Sequence, residues 1–224
     1  MKNIITFISD THTQHRKLTN DLPGGDILIH SGDIMGAGYY SSEVKDFCEW
    51  FNNIDNYKHK IFIAGNHDRL AENLPDVFNN IVNSFDKITY LQDSHINIDG
   101  IKIYGSPWQP EFYSWAFNLP RGKKLKEKWA LIPDDTDILV THGPPLHMLD
   151  YVYQSMTNVG CHDLLSRIYE INIKINVFGH IHQGYGSKKF EGVEYINASN
   201  LNESYIYRNK PITIEYNEGK IKYK

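Results

Sequence analysis

Aspartate, asparagine and histidine side chains recur in this chain directly after short apolar runs. Carboxylate oxygens, amide carbonyl oxygens and imidazole nitrogens all bind divalent metal ions. Crowding such groups at the end of a strand is costly unless a ligand or a hydrogen-bond partner satisfies them. The five clusters are Asp10-Thr11-His12, Gly32-Asp33, Gly65-Asn66-His67-Asp68, Thr141-His142-Gly143 and Gly179-His180-Ile181-His182. The pattern predicts a metal site assembled from separate parts of the chain.

The donor set indicates which metal ions such a site would take. It contains two carboxylates, one amide carbonyl and four imidazoles, with the imidazole of His67 in addition. Mixed nitrogen and oxygen ligands without a thiolate favour Mn, Fe, Co, Ni or Zn over Mg or Ca alone. Seven groups are too many for one tetrahedral zinc ion, but they fit two ions that share a carboxylate.

The spacing within two clusters allows paired ligands. In extended backbone, residues i and i+2 project to the same side. Asp10 with His12, and His180 with His182, can therefore each direct two ligand groups to one place.

The apolar runs before the clusters are typical of strands covered on both faces. The first third of the chain alternates strands with a helix, as α/β proteins do. In open α/β sheets, ligands bind outside the carboxyl ends of the strands, so neighbouring strands would bring the clusters together. The runs are IITFIS, ILIH, KIFIA, DILVT and IKINVF.

Other local patterns predict further elements. SSEVKDFCEWFNNI places apolar residues at positions 44, 47, 51 and 54 on one helix face, with Ser41 or Ser42 as N-cap. GKKLKEKWALI and CHDLLSRIYEI are also predicted helices, and Asp99-Gly100 predicts a tight hairpin. PWQPEFYSWAFNLP is predicted to be an aromatic loop. Strands between positions 185 and 223 are expected to complete a second sheet.

The bulk composition bounds the function classes. The chain has 224 residues, and we expect a single domain over residues 1–224. A formal net charge of -4 disfavours a stable nucleic-acid or membrane partner. Cys48 and Cys161 form no paired motif, and the N-terminal apolar run is too short for a signal peptide. We therefore expect a cytoplasmic protein, whose oligomeric state the sequence leaves open.

The blocks D-x-H, G-D, G-N-H-D, a single H before G, and G-H-x-H resemble the calcineurin-like metallophosphoesterase superfamily in kind and order. They span residues 10–182, and five ordered blocks are far more specific than one. The resemblance implies an α/β fold, a four-layer α/β/β/α sandwich of two mixed sheets with helices outside.

The resemblance also implies a role for each cluster residue. His67 and Asp68 are the implied catalytic residues: His67 faces the substrate phosphate, and Asp68 supports it or orients a metal-ligating histidine. The cofactors implied are two divalent ions, manganese first, with iron, zinc, nickel and cobalt as alternatives. One ion takes Asp10, His12, Asp33 and His182, and the second takes Asp33, Asn66, His142 and His180, with Asp33 as the bridge.

A narrower resemblance covers most of the chain. The chain resembles the small metallophosphoesterase-domain (MPPED) phosphodiesterases in several stretches, among them IYGSPWQPEF, WAFNLPRG, VFGHIHQGYG and YINAS. Animal members carry glutamate at the position of Asp68, and some carry glycine at that of His180, so the metal set here looks more complete. This resemblance points to cyclic nucleotides as substrates.

We therefore expect a dinuclear metal-dependent phosphodiesterase that hydrolyses small phosphodiesters by a metal-bridging hydroxide, with 2′,3′- or 3′,5′-cyclic nucleotides among its substrates. The alternatives are a phosphomonoesterase or nucleotide phosphatase of the same superfamily, and a non-catalytic scaffold with a metal site. Aromatic residues of the loop can stack a nucleobase, although core packing is their commoner use. These residues are Trp108, Phe112, Tyr113, Trp115 and Phe117.

Overall fold

The structure, a computed structural model, describes residues 2–224. The strands are β1 (Lys2–Ile8), β2 (Gly25–His30), β3 (Tyr57–Phe62), β4 (Thr89–Tyr90), β5 (Ser94–Ile98), β6 (Ile101–Ser106), β7 (Gln109–Pro110), β8 (Asn118–Leu119), β9 (Ile138–Thr141), β10 (Tyr151–Val152), β11 (Thr157–Asn158), β12 (Ile175–Phe178), β13 (Gly186–Phe190), β14 (Val193–Asn197), β15 (Ile212–Asn217) and β16 (Lys220–Tyr223). The helices are α1 (Ser41–Asn52), α2 (Arg69–Asn73), α3 (Pro75–Val82), α4 (Lys123–Trp129) and α5 (His162–Glu170), with 3₁₀ helices at His15–Asp21 and His182–Gly184. Within the described residues, none of these helices is long and apolar enough to cross a membrane.

Two six-stranded sheets carry the fold. The first has the order β16-β15-β1-β2-β3-β4, and the second has the order β13-β14-β12-β9-β6-β5. β1, β2 and β3 are parallel neighbours in the first sheet, as are β6, β9, β12 and β14 in the second. Antiparallel strands beside them make both sheets mixed. The carboxyl ends of the parallel strands therefore share one edge in each sheet.

The two sheets pack face to face. Ile5, Ile29 and Ile61 of the first sheet join Ile138 and Val177 of the second in one buried cluster. Alternate residues of a strand point to opposite faces, so their neighbours along each strand face outward.

Helices cover these outer faces. Leu28 and Phe62 of the first sheet pack in one cluster with Phe47 of α1 and Phe78 of α3. On the second sheet, Leu139 packs in a cluster with residues of α4 and α5. The predicted four-layer α/β/β/α sandwich is confirmed.

Some local predictions are confirmed and others are wrong. The Asp99-Gly100 hairpin joins β5 to β6, with φ values of 51° and 83° at its two turn residues. The N-cap of α1 is Tyr40, not Ser41 or Ser42, and its side chain makes no capping hydrogen bond. The helices α2 and α3 lie in a stretch for which no helix was predicted.

The late strands divide between the sheets, so their expected assignment to the second sheet is only half right. β13 and β14 join the second sheet, whereas β15 and β16 join the first. β15 pairs antiparallel with β1 on the side away from β2. This pairing satisfies backbone groups that β1 would otherwise expose as a sheet edge.

We expect Ile214→Ala in β15 to lower the free energy of unfolding by about 2–5 kcal/mol, because it opens a cavity between the sheets. Ile214 is fully buried. Urea unfolding at unchanged m-value measures the loss. Ile206→Ala, at a position that is 59% exposed, is the control. Equal effects of the two substitutions would contradict the packing described for β15.

Candidate metal centre

All five polar clusters lie just past the carboxyl ends of β1, β2, β3, β9 and β12. Backbone hydrogen bonds tie them to one another across these ends. Asp10 N–H donates to the Gly32 carbonyl, and Gly179 N–H donates to the His142 carbonyl, both at 3.0 Å. Asp10, Asp33 and His142 are at most 2% exposed. The strand ends therefore converge on one buried polar centre.

Potential ligand atoms approach one another closely at this centre. Among the described residues, three groups have ligand atoms that all lie within 4.8 Å of one another. The groups are Asp10 with His12 and His182, His12 with Asp33 and His67, and Asp10 with Asp33 and His142. His67, which the resemblance keeps off the metals, thus has a ring nitrogen within 4.8 Å of ligand atoms of both His12 and Asp33.

The Asp33 carboxylate lies between two histidines. Its Oδ2 is 3.6 Å from His12 Nε2 and 3.4 Å from His142 Nε2. Its Oδ1 accepts the backbone N–H of His67 at 2.7 Å. One carboxylate oxygen therefore faces the imidazoles of both histidines.

Asn66 and His180 lie on the His142 side of the centre. Asn66 Oδ1 is 2.9 Å from His142 Nε2. The His180 ring centroid is 5.1 Å from that of His142, and His180 is in none of the three groups. Its backbone N–H donates to the Asp10 carboxylate at 3.0 Å.

Backbone carbonyls orient four of the imidazoles. A carbonyl can only accept, so each Nδ1 facing one carries the proton and leaves Nε2 towards the centre. The pairs are His12 with Met35 (3.1 Å), His142 with Ser31 (3.0 Å), His182 with Asn202 (2.9 Å) and His67 with Gly36. This arrangement is the one by which proteins commonly fix metal-binding histidines.

The donor atoms fit a divalent cation. The buried Nε2 of His12 has no hydrogen-bond partner among the described residues, as expected of an atom that serves as a metal ligand. Burial lowers the pKa of His12 to about 4 and that of His180 to about 3, despite the nearby Asp33 carboxylate. Both rings are therefore neutral at pH 7 and offer lone pairs.

The pKa of His142 shifts in the opposite direction because the Asp33 carboxylate lies beside it. Burial is the largest single influence and lowers its pKa, but the charge and hydrogen bond of Asp33, with smaller contributions from Asp10 and the Ser31 carbonyl, together raise the pKa of His142 to about 9. A cation bound there would take the place of that proton, since ligands must be deprotonated.

Among residues 2–224, the Asp68 carboxylate forms its hydrogen bonds with backbone N–H groups and with no imidazole. Its Oδ2 accepts the N–H groups of Gly65 (2.7 Å), Asp33 (3.0 Å) and Ile34 (3.3 Å), and its Oδ1 accepts that of Met35 (2.9 Å). Burial first, and then the Asp33 carboxylate, raise the pKa of Asp68 to about 7, against the N–H donors. The contacts make Asp68 an organiser of the loop that carries Asp33.

Glycine at two positions allows the backbone to approach the Asp10 and Asp33 carboxylates closely. A Cβ on Gly179 would lie 1.9 Å from Asp10 Oδ2, and one on Gly65 would lie 2.4 Å from Asp33 Oδ1. Any side chain there would displace the carboxylate, so both positions require glycine.

Several cluster residues also have left-handed backbone. The φ values are 52° at Asp10, 39° at His12, 59° at Asp33 and 66° at His180. Non-glycine residues rarely adopt this conformation, and it clusters at functional sites.

Sequence reasoning missed two residues of the centre. Ser199 Oγ–H donates to Asp10 Oδ2 at 2.8 Å. The ring of Tyr205, which is 47% exposed, lies 4.8 Å from that of His12 and 5.2 Å from that of His182. The only sequence signal was the YINAS stretch that ends at Ser199, and Tyr205 follows no motif at all.

Comparisons with known proteins identify the family of this chain. The family model for calcineurin-like phosphoesterases matches residues 4–184. Human metallophosphoesterase domain-containing protein 1 is 42% identical over 229 residues, which cover 93% of this chain and 69% of the human protein.

Solved structures share the fold. TT1561 of Thermus thermophilus matches with a TM-score of 0.67 at 15% identity, over 100% of this chain and 99% of that one. Phosphopantetheinyl hydrolase (PptH) from Mycobacterium tuberculosis matches with a TM-score of 0.59 at 15% identity, over 87% and 88% of the two chains. Such low identities show the fold alone. From the family model and the human relative, this chain belongs to the calcineurin-like phosphoesterases and is a metallophosphoesterase, a hydrolase.

Proposed function

We propose that this chain is a phosphodiesterase that uses two divalent metal ions to hydrolyse small nucleotides, with cyclic nucleotides among its substrates. The observation that carries the proposal is the single Asp33 oxygen that faces both His12 and His142. Together with the further donors on either side, Asp10 with His182 and Asn66 with His180, this oxygen is suited to be shared by two ions.

The ligand sets are those that the sequence resemblance implies. When bound, the two ions would supply Lewis-acid charge at the phosphate and acidify water. Manganese is our first choice because the donors are nitrogen and oxygen without thiolate. One ion would take Asp10, His12, Asp33 and His182, and the other would take Asp33, Asn66, His142 and His180.

His67 is the proposed proton donor. Its Nδ1–H donates to the Gly36 carbonyl, so Nε2 is free to face the substrate. In the reaction, a water oxygen bonds to phosphorus while the bond from phosphorus to the leaving oxygen breaks. The leaving oxygen takes a proton from His67 Nε2, and the attacking water releases one to the medium.

A cleft beside the centre supports a small nucleotide as substrate. It encloses about 580 Å³ and is lined by His180 and His182. This volume lies within the roughly 300–1,000 Å³ of small-molecule sites. Residues of the β10–β11 hairpin and of the aromatic loop also line it.

The aromatic loop presents two rings to this cleft. Phe112 is 50% exposed and Tyr113 is 79% exposed, and the Phe112 ring lies 6.1 Å from that of His180. Phe117, by contrast, is fully buried, and Trp108 packs against the core. Exposed rings beside a phosphate site are suited to stack a base.

With manganese added, we expect turnover of bis-p-nitrophenyl phosphate and of a cyclic nucleotide to exceed that of p-nitrophenyl phosphate, a monoester. Metal content and turnover on the three substrates are measured on one preparation. Turnover of the monoester alone would overturn the diesterase proposal in favour of a phosphatase. Bound metal without any turnover would make the chain a scaffold.

Asp33→Asn is expected to leave fewer metal ions per chain than wild type and to lower kcat/KM by about 100-fold or more, because both ions lose their shared ligand. Elemental analysis after gel filtration measures the metal. The control is Asp55→Asn, at a side chain that is 79% exposed and pairs with Lys87. Wild-type metal content in Asp33→Asn would refute the bridge.

Phe112→Ala is expected to raise KM for a cyclic nucleotide about tenfold, since stacking on one base contributes roughly 1–3 kcal/mol. Methyl riboside 2′,3′-cyclic phosphate, which has no base, should show no such change. Tyr169→Ala, at an exposed position on α5, is the control. An equal rise for both substrates would exclude base stacking.

A further inference from the structure

The His67 ring is held by contacts that no metal site requires. Its plane stacks on Trp115, with ring centroids 4.0 Å apart and an interplanar angle of 24°. The His12 ring meets it edge-on at 4.6 Å, and the Gly36 carbonyl accepts its Nδ1–H. The His67 ring is therefore held by stacking on Trp115, by the edge-on contact with His12 and by the hydrogen bond to Gly36.

Trp115 is itself anchored to the turn that carries His67. The backbone N–H of the next residue, Ala116, donates to the Asn66 carbonyl at 3.1 Å. Ala116 and Phe117 are buried, and the Gln109 N–H donates to the Phe117 carbonyl at 3.0 Å. The loop thus presents Trp115 to His67 on a fixed backbone.

A cation holds the indole as well. The guanidinium carbon of Arg69 lies 4.4 Å from the Trp115 ring centroid and 5.2 Å from that of Tyr39. Cation–π contacts of this kind stabilise an aromatic ring in place. Arg69 is the first residue of α2 and follows His67 by two residues. The two residues that contact the Trp115 ring, His67 and Arg69, therefore both lie in the short segment from the end of β3 to the first residue of α2.

We propose that Trp115 is a positioning residue that orients the His67 imidazole for proton transfer to the leaving oxygen. The inference rests on the proposed function, because it assigns His67 the role of proton donor. Catalytic groups must be held in the productive geometry, and a misplacement of about 1 Å can cost about 100-fold in rate. A stacked indole prevents rotation of the imidazole, which the single hydrogen bond to Gly36 leaves possible.

The test compares two leaving groups. The p-nitrophenolate of bis-p-nitrophenyl phosphate leaves without a proton, whereas the alkoxide of a cyclic nucleotide needs one. We expect Trp115→Ala to lower kcat about 10- to 100-fold on the cyclic nucleotide, with kcat on bis-p-nitrophenyl phosphate and KM little changed. Trp115→Phe, which keeps a flat ring, should restore most of the rate. Tyr40→Ala, at an exposed aromatic position, is the control.

A double variant tests whether Trp115 acts through His67. If it does, His67→Ala with Trp115→Ala loses no more rate than His67→Ala alone, because coupled residues are not additive. Multiplied losses would overturn the inference, as would equal losses on both substrates.

A readout without activity is NMR of the metal-free protein. The His67 Nδ1–H signal, assigned by its absence in His67→Ala, should exchange with solvent faster in Trp115→Ala than in wild type. Unchanged exchange would overturn the positioning role. Wild-type protein that turns over neither diester would overturn the proposed function and this inference together, whereas wild-type turnover with an unchanged substrate ratio in Trp115→Ala would overturn this inference alone.

Discussion

The buried carboxylate of Asp68 accepts N–H groups from Gly65 and from three successive residues of the loop 33–36. Two carbonyls of the same loop then accept the Nδ1–H groups of His12 and His67. The Asp68 side chain, which has no proposed role as a metal ligand, therefore fixes the backbone of Asp33, the proposed bridging ligand. Through the same loop it orients the imidazoles of His12 and His67. Asp68 thus joins the turn after β3 to the loop after β2, alongside the hydrogen bond from His67 N–H to Asp33 Oδ1.

The two sheets set the remaining distances. Parallel strands bring their carboxyl ends to one edge, and the face-to-face packing of the sheets brings both edges together. Ligand groups that lie far apart in the sequence meet in this way, as Asp10 Oδ1 and His182 Nε2 do at 3.3 Å. Because strands are rigid and buried, the site is more precise than one built on surface loops alone.

The order and kind of the chemical groups could be predicted because strands and clusters are local patterns. Apolar runs of a few residues indicate buried strands, and the polar groups follow them directly. The carbonyl partners of the histidines could not be predicted, since any residue has a carbonyl and only the fold chooses Met35 or Asn202. Tyr205 reaches the centre from a loop, and loops leave no periodic signal. The N-cap of α1 was misplaced because backbone position overrode the preference for serine at residue 41 or 42.

The left-handed backbone at Asp10, His12, Asp33 and His180 has an evolutionary consequence. Such conformations cost on the order of 1–3 kcal/mol each, and neighbouring contacts must hold them in place. The folded chain bears this strain in advance, so an arriving cation meets ligands that need little rearrangement. A descendant that no longer needed its metals would relieve this strain by accepting glycine at His180, whereas loss of the Asp10 or Asp33 carboxylate would leave N–H groups of the centre without their acceptor. Mutation toward a more stable but inactive protein is therefore favoured by folding stability, and only selection for catalysis opposes it.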